Sequence, residues 1–283
     1  MLSLHTNVAA LSAQNSISKT QSNLSTSQTR LSTGYRINSA MDDAAGLQIA
    51  SRLKAQTSGM TVAMRNTANS TSMLQTAEGA LDEVSNMLIR MKDLATQAAD
   101  ASSTANDKTA MQSEYDALGK ELGNVLKNTT FGGTKLLVGG TVAAAMTFQI
   151  GASSSETMSI NLSADVASVV TDVTAATSNY AGAATGTELT GAANTAIGNL
   201  ETALASVNKV RSGLGAAANR LEHVYNNLAN ISTNTKAATG QIMDVDFASE
   251  SANMTSNQML LQASTAMLKQ ANSQSSMVMS LLQ

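Results

Sequence analysis

The chain carries two histidines, His5 and His223, far apart along its 283 residues, and no cysteine. Neither histidine has a thiol or a paired carboxylate at the short spacing that lets one turn or helix wrap a metal ion, so no metal site is expected. Asp42 and Asp43 could be imagined as an acid–base pair. Ser39, however, stands three residues before Asp42 in the spacing of a capping box, and carboxylates at a helix N-terminus are favoured by the helix dipole. Their expected role is therefore structural. Gly132-Gly133 and Gly139-Gly140 lack the Gly-Lys-Ser/Thr ending of a phosphate loop and read as turn glycines. No catalytic residue, cofactor site or metal site is expected, and the chain does not read as an enzyme.

The composition points the same way. Only 13% of residues are charged and 2% aromatic, with no Pro, Cys or Trp, against a usual charged share near ~25%. Because 43% are hydrophobic, a core can be buried. The polar surface must then consist mostly of Ser, Thr, Asn and Gln. A net charge of -3 and a pI near 5.4, without a Lys/Arg cluster, exclude nucleic acid as a partner. The opening Met1-Leu-Ser-Leu-His-Thr-Asn-Val-Ala-Ala has no basic stretch followed by an apolar run, so it does not read as a cleavable signal peptide. No window approaches the ~18 apolar residues of a membrane span, and membrane insertion is not expected.

Helical periodicity dominates the pass along the chain. From Leu2 to about Thr33 the apolar residues Leu4, Val8, Leu11, Ile17, Leu24 and Leu31 form a thin helical stripe, closed by Gly34. A second helix from about Asp43 to Ala99 carries a heptad seam through Leu74, Ala77, Leu81, Val84, Leu88, Met91, Ala95 and Ala98. At ~1.5 Å per residue it would be roughly 80 Å long. After the polar stretch 100–107, Met111, Tyr115, Leu118, Leu122 and Val125 mark a third helix, expected antiparallel to the second. Then Met146, Phe148 and Ile150, and Met158, Ile160 and Leu162, alternate with polar residues between glycines, which predicts a few β-strands. Residues from about 163 to 186 hold few large apolar side chains and are expected to bury little, as a surface insertion or loop. Heptads resume from Ile197 through Leu200, Leu204, Val207, Leu214, Ala218, Leu221 and Leu228 to Ile231. In the last segment Phe247, Met254, Leu261 and Leu268 stand seven apart, with Leu260, Met267 and Leu281 on a neighbouring row.

The order is nearly palindromic: helix, break, long helix, β-rich middle, long helix, break, helix. It predicts a mainly α fold with a small β element (α+β), an elongated, nested antiparallel helical rod whose N- and C-terminal helices pair as a coiled coil. Stripes as thin as the terminal ones recover less free energy from burial than ordering the chain costs, so the ends are expected to need neighbours from other subunits. The candidate polymerisation seam is Leu4, Val8, Leu11, Leu24, Leu31, Phe247, Met254, Leu261 and Leu268.

Three stretches carry a family resemblance. They are Arg30-Leu-Ser-Thr-Gly-Tyr-Arg-Ile-Asn-Ser-Ala-Met-Asp-Asp-Ala-Ala-Gly, then Gln75-Thr-Ala-Glu-Gly-Ala-Leu-Asp-Glu-Val, and Arg90-Met-Lys-Asp-Leu-Ala-Thr-Gln-Ala. With Phe148-Gln-Ile-Gly-Ala, Asp244-Val-Asp-Phe-Ala-Ser-Glu, Gln262-Ala-Ser-Thr-Ala-Met-Leu-Lys-Gln-Ala-Asn and Leu281-Leu282, they closely resemble bacterial flagellin over nearly the whole chain. The family's large outer domains are almost absent, and Ser275 or Ser276 stands where the family commonly has Pro near its C-terminus.

The resemblance implies a structural subunit of the bacterial flagellar filament, exported unfolded through the flagellar type III apparatus and self-assembling into a helical tube that drives motility. Residues 1–42 and 241–283 would form the inner coiled-coil domain, and 43–162 and 188–240 the rod domain, with 163–187 a short variable surface insertion. Its implied partners are other copies of itself, an export chaperone, the hook–filament junction and filament cap proteins, and Toll-like receptor 5 on host cells. The segment from Arg90 matches the surface that this receptor binds, which assigns Arg90, Leu94 and Glu114 to receptor recognition and to contacts between subunits. Ile89 stands where receptor-binding members commonly have a polar residue. The rival class is a signalling coiled coil like the cytoplasmic part of a chemoreceptor, against which the β-rich middle argues.

Overall fold

The computed structural model describes residues 7–182 and 185–281. The chain forms two compact units, one of residues 1–57 with 233–283 and one of residues 58–232. Its elements are mainly helical with a small β part, in agreement with the sequence pattern.

In the unit of residues 58–232 the core lies between α2 (Ala44–Ala99), α3 (Ala105–Asn128) and α6 (Ala193–Met243). All eight residues of the α2 heptad seam from Leu74 to Ala98 are buried. Ion pairs mark the helices on either side: Arg90 with Glu114 on α3, and Lys92 with Glu201 on α6. On α6 the buried row advances in threes and fours through Ala196, Leu200, Ala203, Val207, Val210, Leu214 and Ala217. Ala217 rather than Ala218 faces the core, and at the far end Ser232 is buried while Ile231 is exposed. Thr104 opens α3 with a reciprocal capping box, its hydroxyl accepting from the Asp107 amide while the Asp107 carboxylate accepts from the Thr104 amide.

Two hairpins follow. The strands β1 (Thr130–Phe131) and β2 (Thr134–Lys135) pair antiparallel across Gly132-Gly133, both at positive φ (58° and 84°), as a two-residue hairpin turn requires. Strands β3 (Ala145–Gln149) and β4 (Thr157–Asn161) place Met146 opposite Ile160 and Phe148 opposite Met158. Met146, Met158 and Ile160 are buried, so the alternation in the sequence is the alternation of a half-buried sheet.

Residues 163–187 depart from the expectation that they would bury little. They open with the helix α4 (Ser163–Ala176), whose Val166, Val169, Val173 and Ala176 belong to the core. These small apolar residues recur at spacings of three and four, one face of a helix, and a search for large apolar residues overlooks them. A 3-10 turn (Ser178–Ala181) and the short α5 (Glu188–Gly191) then lie against α3. The buried Tyr115 hydroxyl donates to the Ala176 carbonyl (2.7 Å). The Gln112 side-chain amide donates to both Asp116 (2.8 Å) and Glu188 (2.9 Å), while its oxygen accepts from the Leu189 amide (2.7 Å).

In the other unit α1 (Val8–Thr33) packs against α7 (Phe247–Leu281). The Asn7 side chain caps α1 by accepting from the Ala10 amide, and Gly34, at φ 75°, ends it with its amide bonded to the Arg30 carbonyl. That left-handed conformation costs an L-residue and explains glycine at the cap. The link that follows is pinned by Arg36 to Met243 (2.6 Å) and Val245 to Gly34 (3.0 Å) along the backbone, by a single bridge between Tyr35 and Asp244, and by the Arg36 guanidinium on the Ile242 carbonyl (2.9 Å). Asp43, not Ser39, caps α2, accepting from the Gly46 amide (2.8 Å). Asp42 instead closes a turn by accepting from the Asn38 and Ser39 amides (3.0 and 2.9 Å), and these bonds hold its carboxyl below the usual range.

Hydroxyls crowd the outer faces of the helices. Ser16, Thr26 and Thr29 on α1, and Ser70, Ser72 and Thr76 on α2, each donate to the carbonyl four residues earlier.

Candidate functional site

The seam between α1 and α7 is built from half-buried residues at heptad spacing. Ile17, Leu24 and Leu31 stand on α1; Met254, Leu261 and Leu268 stand on α7. Arg30 pairs with Glu250 (3.7 Å), and the Asn7 side-chain amide donates to the Ala271 carbonyl (3.1 Å), so the two helices run antiparallel. Of the sequence-predicted seam residues, Leu24, Leu31, Met254, Leu261 and Leu268 are thus brought together within one chain.

Val8, Leu11 and Phe247 are not. Val8 is 67% exposed, Leu11 54% and Phe247 56%, and Met259, Leu260 and Met267 on α7 also face outward. Val8 and Leu11 line an open depression with Ser12, Asn15, Ser16 and Lys19. Leu4 lies outside the described residues, as does His5. Large apolar side chains are therefore left uncovered on several faces of the terminal helices, where another chain could cover them.

Sequence reasoning missed the polar layer at the end of this seam. Ser27 (4% exposed) and Glu250 (7%) are the only fully buried residues among those described in α1 and α7. The signal was present: 250, 254, 257, 261, 264, 268 and 271 alternate fours and threes, but only apolar members of the series register in a hydrophobic pattern.

In the unit of residues 58–232, Arg90 and Glu114 do meet. The Arg90 Nε and Nη2 both donate to one Glu114 carboxylate oxygen (2.9 and 2.7 Å), and both side chains are about half exposed. Leu94 is placed differently. It is 3% exposed and belongs to the core, so it is not part of the exposed patch with Arg90. Because α2 is flanked by both α3 and α6, its buried arc is wider than a two-position seam and takes in Leu94 beside Met91 and Ala95.

Among the described residues no group of three or more His, Asp or Glu is placed to hold a metal ion, and no helix is long and apolar enough to cross a membrane.

The elements are long helices with α1 packed on α7 and exposed apolar side chains on both, and the family comparisons identify the class of protein. Residues 4–141 match the model of the bacterial flagellin N-terminal helical region, and residues 197–282 that of the C-terminal helical region. The chain is 35% identical to flagellin A of Vibrio anguillarum over a 379-residue alignment covering 100% of both chains, and 34% identical to flagellin A of Vibrio cholerae, again over the whole of each. That alignment is longer than the chain, so the relative carries residues without a counterpart here. Among solved structures, a protein described as flagellar hook-associated from Vibrio parahaemolyticus matches at a TM-score of 0.58 and 17% identity, over 72% of this chain and 100% of that one, a likeness of fold.

The chain belongs to the bacterial flagellin family. It is a structural subunit of the flagellar filament, which serves motility, and not an enzyme. Nothing favours a chemoreceptor-like signalling role.

Proposed function

We propose that the filament is held together through apolar side chains left uncovered on the terminal helices, among them Val8, Leu11, Phe247, Met259, Leu260 and Met267. The observation that carries this reading is their exposure on helices whose other face already pairs within the chain. Covering such side chains removes apolar area from water at about 25 cal/mol per Å², and a neighbouring subunit is the surface that can do it. The same face in the free subunit invites premature association, which supports delivery unfolded through the flagellar type III apparatus with an export chaperone on the C-terminal segment. Addition beneath the filament cap, onto the hook–filament junction, completes the route to a secreted, extracellular filament. The test is a chain with Val8, Leu11, Leu260 and Met267 all changed to Ser. Loss of polymerisation with an unchanged melting transition of residues 58–232 is expected; filaments formed at the wild-type rate would refute it.

A second reading concerns host recognition. The exposed Arg90–Glu114 pair offers Toll-like receptor 5 a charged patch on the free subunit, with Leu94 supporting it from the core. Residues 90 to 98 resemble the receptor-binding segment of the family, which motivates the assignment.

A further inference from the structure

We propose that the Arg30–Glu250 pair sets the register in which α1 and α7 pair. The apolar residues of this seam cannot do so. Ile17, Leu24 and Leu31 repeat every seven residues, as do Met254, Leu261 and Leu268. Sliding one helix along the other by a heptad, about 10 Å, again sets apolar side chains against apolar ones.

The layer at Ser27, Arg30 and Glu250 does not repeat. Glu250 is 7% exposed and Ser27 4%, so the most deeply buried layer described in the two helices is polar. Arg30 Nη1 lies 3.7 Å from Glu250 Oε2, and Arg30 Nε is shielded from solvent without a hydrogen-bond partner. A slip of one heptad in one direction brings Asn257 opposite Arg30, and in the other Asn23 opposite Glu250; in either case a buried charge loses its counter-charge. Such a loss is heavily penalised, whereas the matched pair adds little; that asymmetry is how a buried polar pair selects one register. Each charge also sits at the helix end that favours it, Glu250 in the first turn of α7 and Arg30 in the last turn of α1. The rival explanation is the link, where Arg36 and Val245 make backbone bonds to Met243 and Gly34.

The absence of cysteine makes disulfide mapping unambiguous. In filaments of the full chain, N7C/A271C reports the native register and N7C/S264C the slip that sets Asn23 against Glu250, intrachain bonds being told from bonds between subunits by mass. The inference rests on the filament reading only in using assembled material, and assembly of the N7C/A271C chain checks that reading by itself. With Arg30 and Glu250 in place, only N7C/A271C should cross-link. In an R30L/E250L background N7C/S264C should rise to at least a tenth of the native yield, and R30E/E250R should return it to baseline, with a lower melting temperature because both charges then oppose the helix dipoles. An R30L/E250L chain that assembles with native cross-links alone overturns the proposal in favour of the link. If R30L/E250L does not assemble, R30E/E250R decides: regained assembly in the native register supports the pair, and failure overturns it.

Discussion

Arg90 and Leu94 stand four residues apart, yet one is half exposed and the other lies in the core. Their substitutions should therefore separate. An exposed ion pair such as Arg90–Glu114 contributes at most about 1 kcal/mol to stability, whereas an arginine anchoring an interface typically costs ~2 kcal/mol or more when truncated. Arg90→Ala should leave the melting temperature nearly unchanged and weaken binding of the free subunit to Toll-like receptor 5 about thirtyfold, since ~1.4 kcal/mol is tenfold. Leu94→Ala should instead lower stability by ~2–5 kcal/mol, because it opens a cavity in packed core. Calorimetry and a binding assay on the soluble subunit read the two effects, and equal binding by Arg90→Ala and wild type would remove Arg90 from the site. The family resemblance puts Arg90 and Glu114 in one patch, and across two helices they do meet. Helical spacing puts Leu94 beside Arg90 but does not fix its exposure, because the width of a buried arc depends on how many helices press against it, which one helix's sequence does not reveal.

The excursion after α4 is held to α3 by carboxylates and one shared amide, an arrangement that acid should loosen. Burial pushes the Glu188 carboxyl up, but hydrogen bonds from the Ser178 amide and hydroxyl (2.8 and 2.7 Å) and from Gln112 outweigh it and hold the pKa below the ordinary value. A folded-state pKa below the unfolded one, ~4.3, means that Glu188 stabilises fully above that pH and loses its contribution as pH falls through the folded value. Glu188→Gln should accordingly cost on the order of 1 kcal/mol near neutrality, discounted for partial solvent contact. Melting both chains at pH 7 and at pH 3 should show the gap between them closing in acid; a constant gap would mean that charge at this position is irrelevant. The sequence made the long helices and the β3–β4 hairpin legible because large apolar residues recur there at 3.5 or 2 residues. It concealed α4 and the carboxylate staple, where alanine and valine do the packing and the binding partners are distant along the chain.

For the molecule as a whole, the near-palindrome of the sequence is realised as first and last long helices lying together, α1 on α7, with the β element between the halves of the chain. Removing residues 1–40 or 245–283 should abolish polymerisation while residues 58–232 stay helical, because either deletion takes away one side of the seam and the exposed apolar residues it carries. Circular dichroism and electron microscopy of each truncated chain test this, and filaments from either one would contradict it. Amide exchange extends the same expectation: protection in 7–33 and 250–281 should be far higher in filament than in free subunit, since a thin seam does not stabilise a helix pair alone.

The hydroxyls that bond back onto their own helices have a mechanical consequence. Each Ser or Thr that donates to the carbonyl four residues earlier makes that oxygen serve two donors, which slackens the turn and lets the axis bend there. Spread over many turns of α1 and α2, with no proline in the chain to concentrate a kink, they make flexure a distributed property of the helix. A tube wound from such helices would accordingly bend a little at every turn rather than at a single hinge.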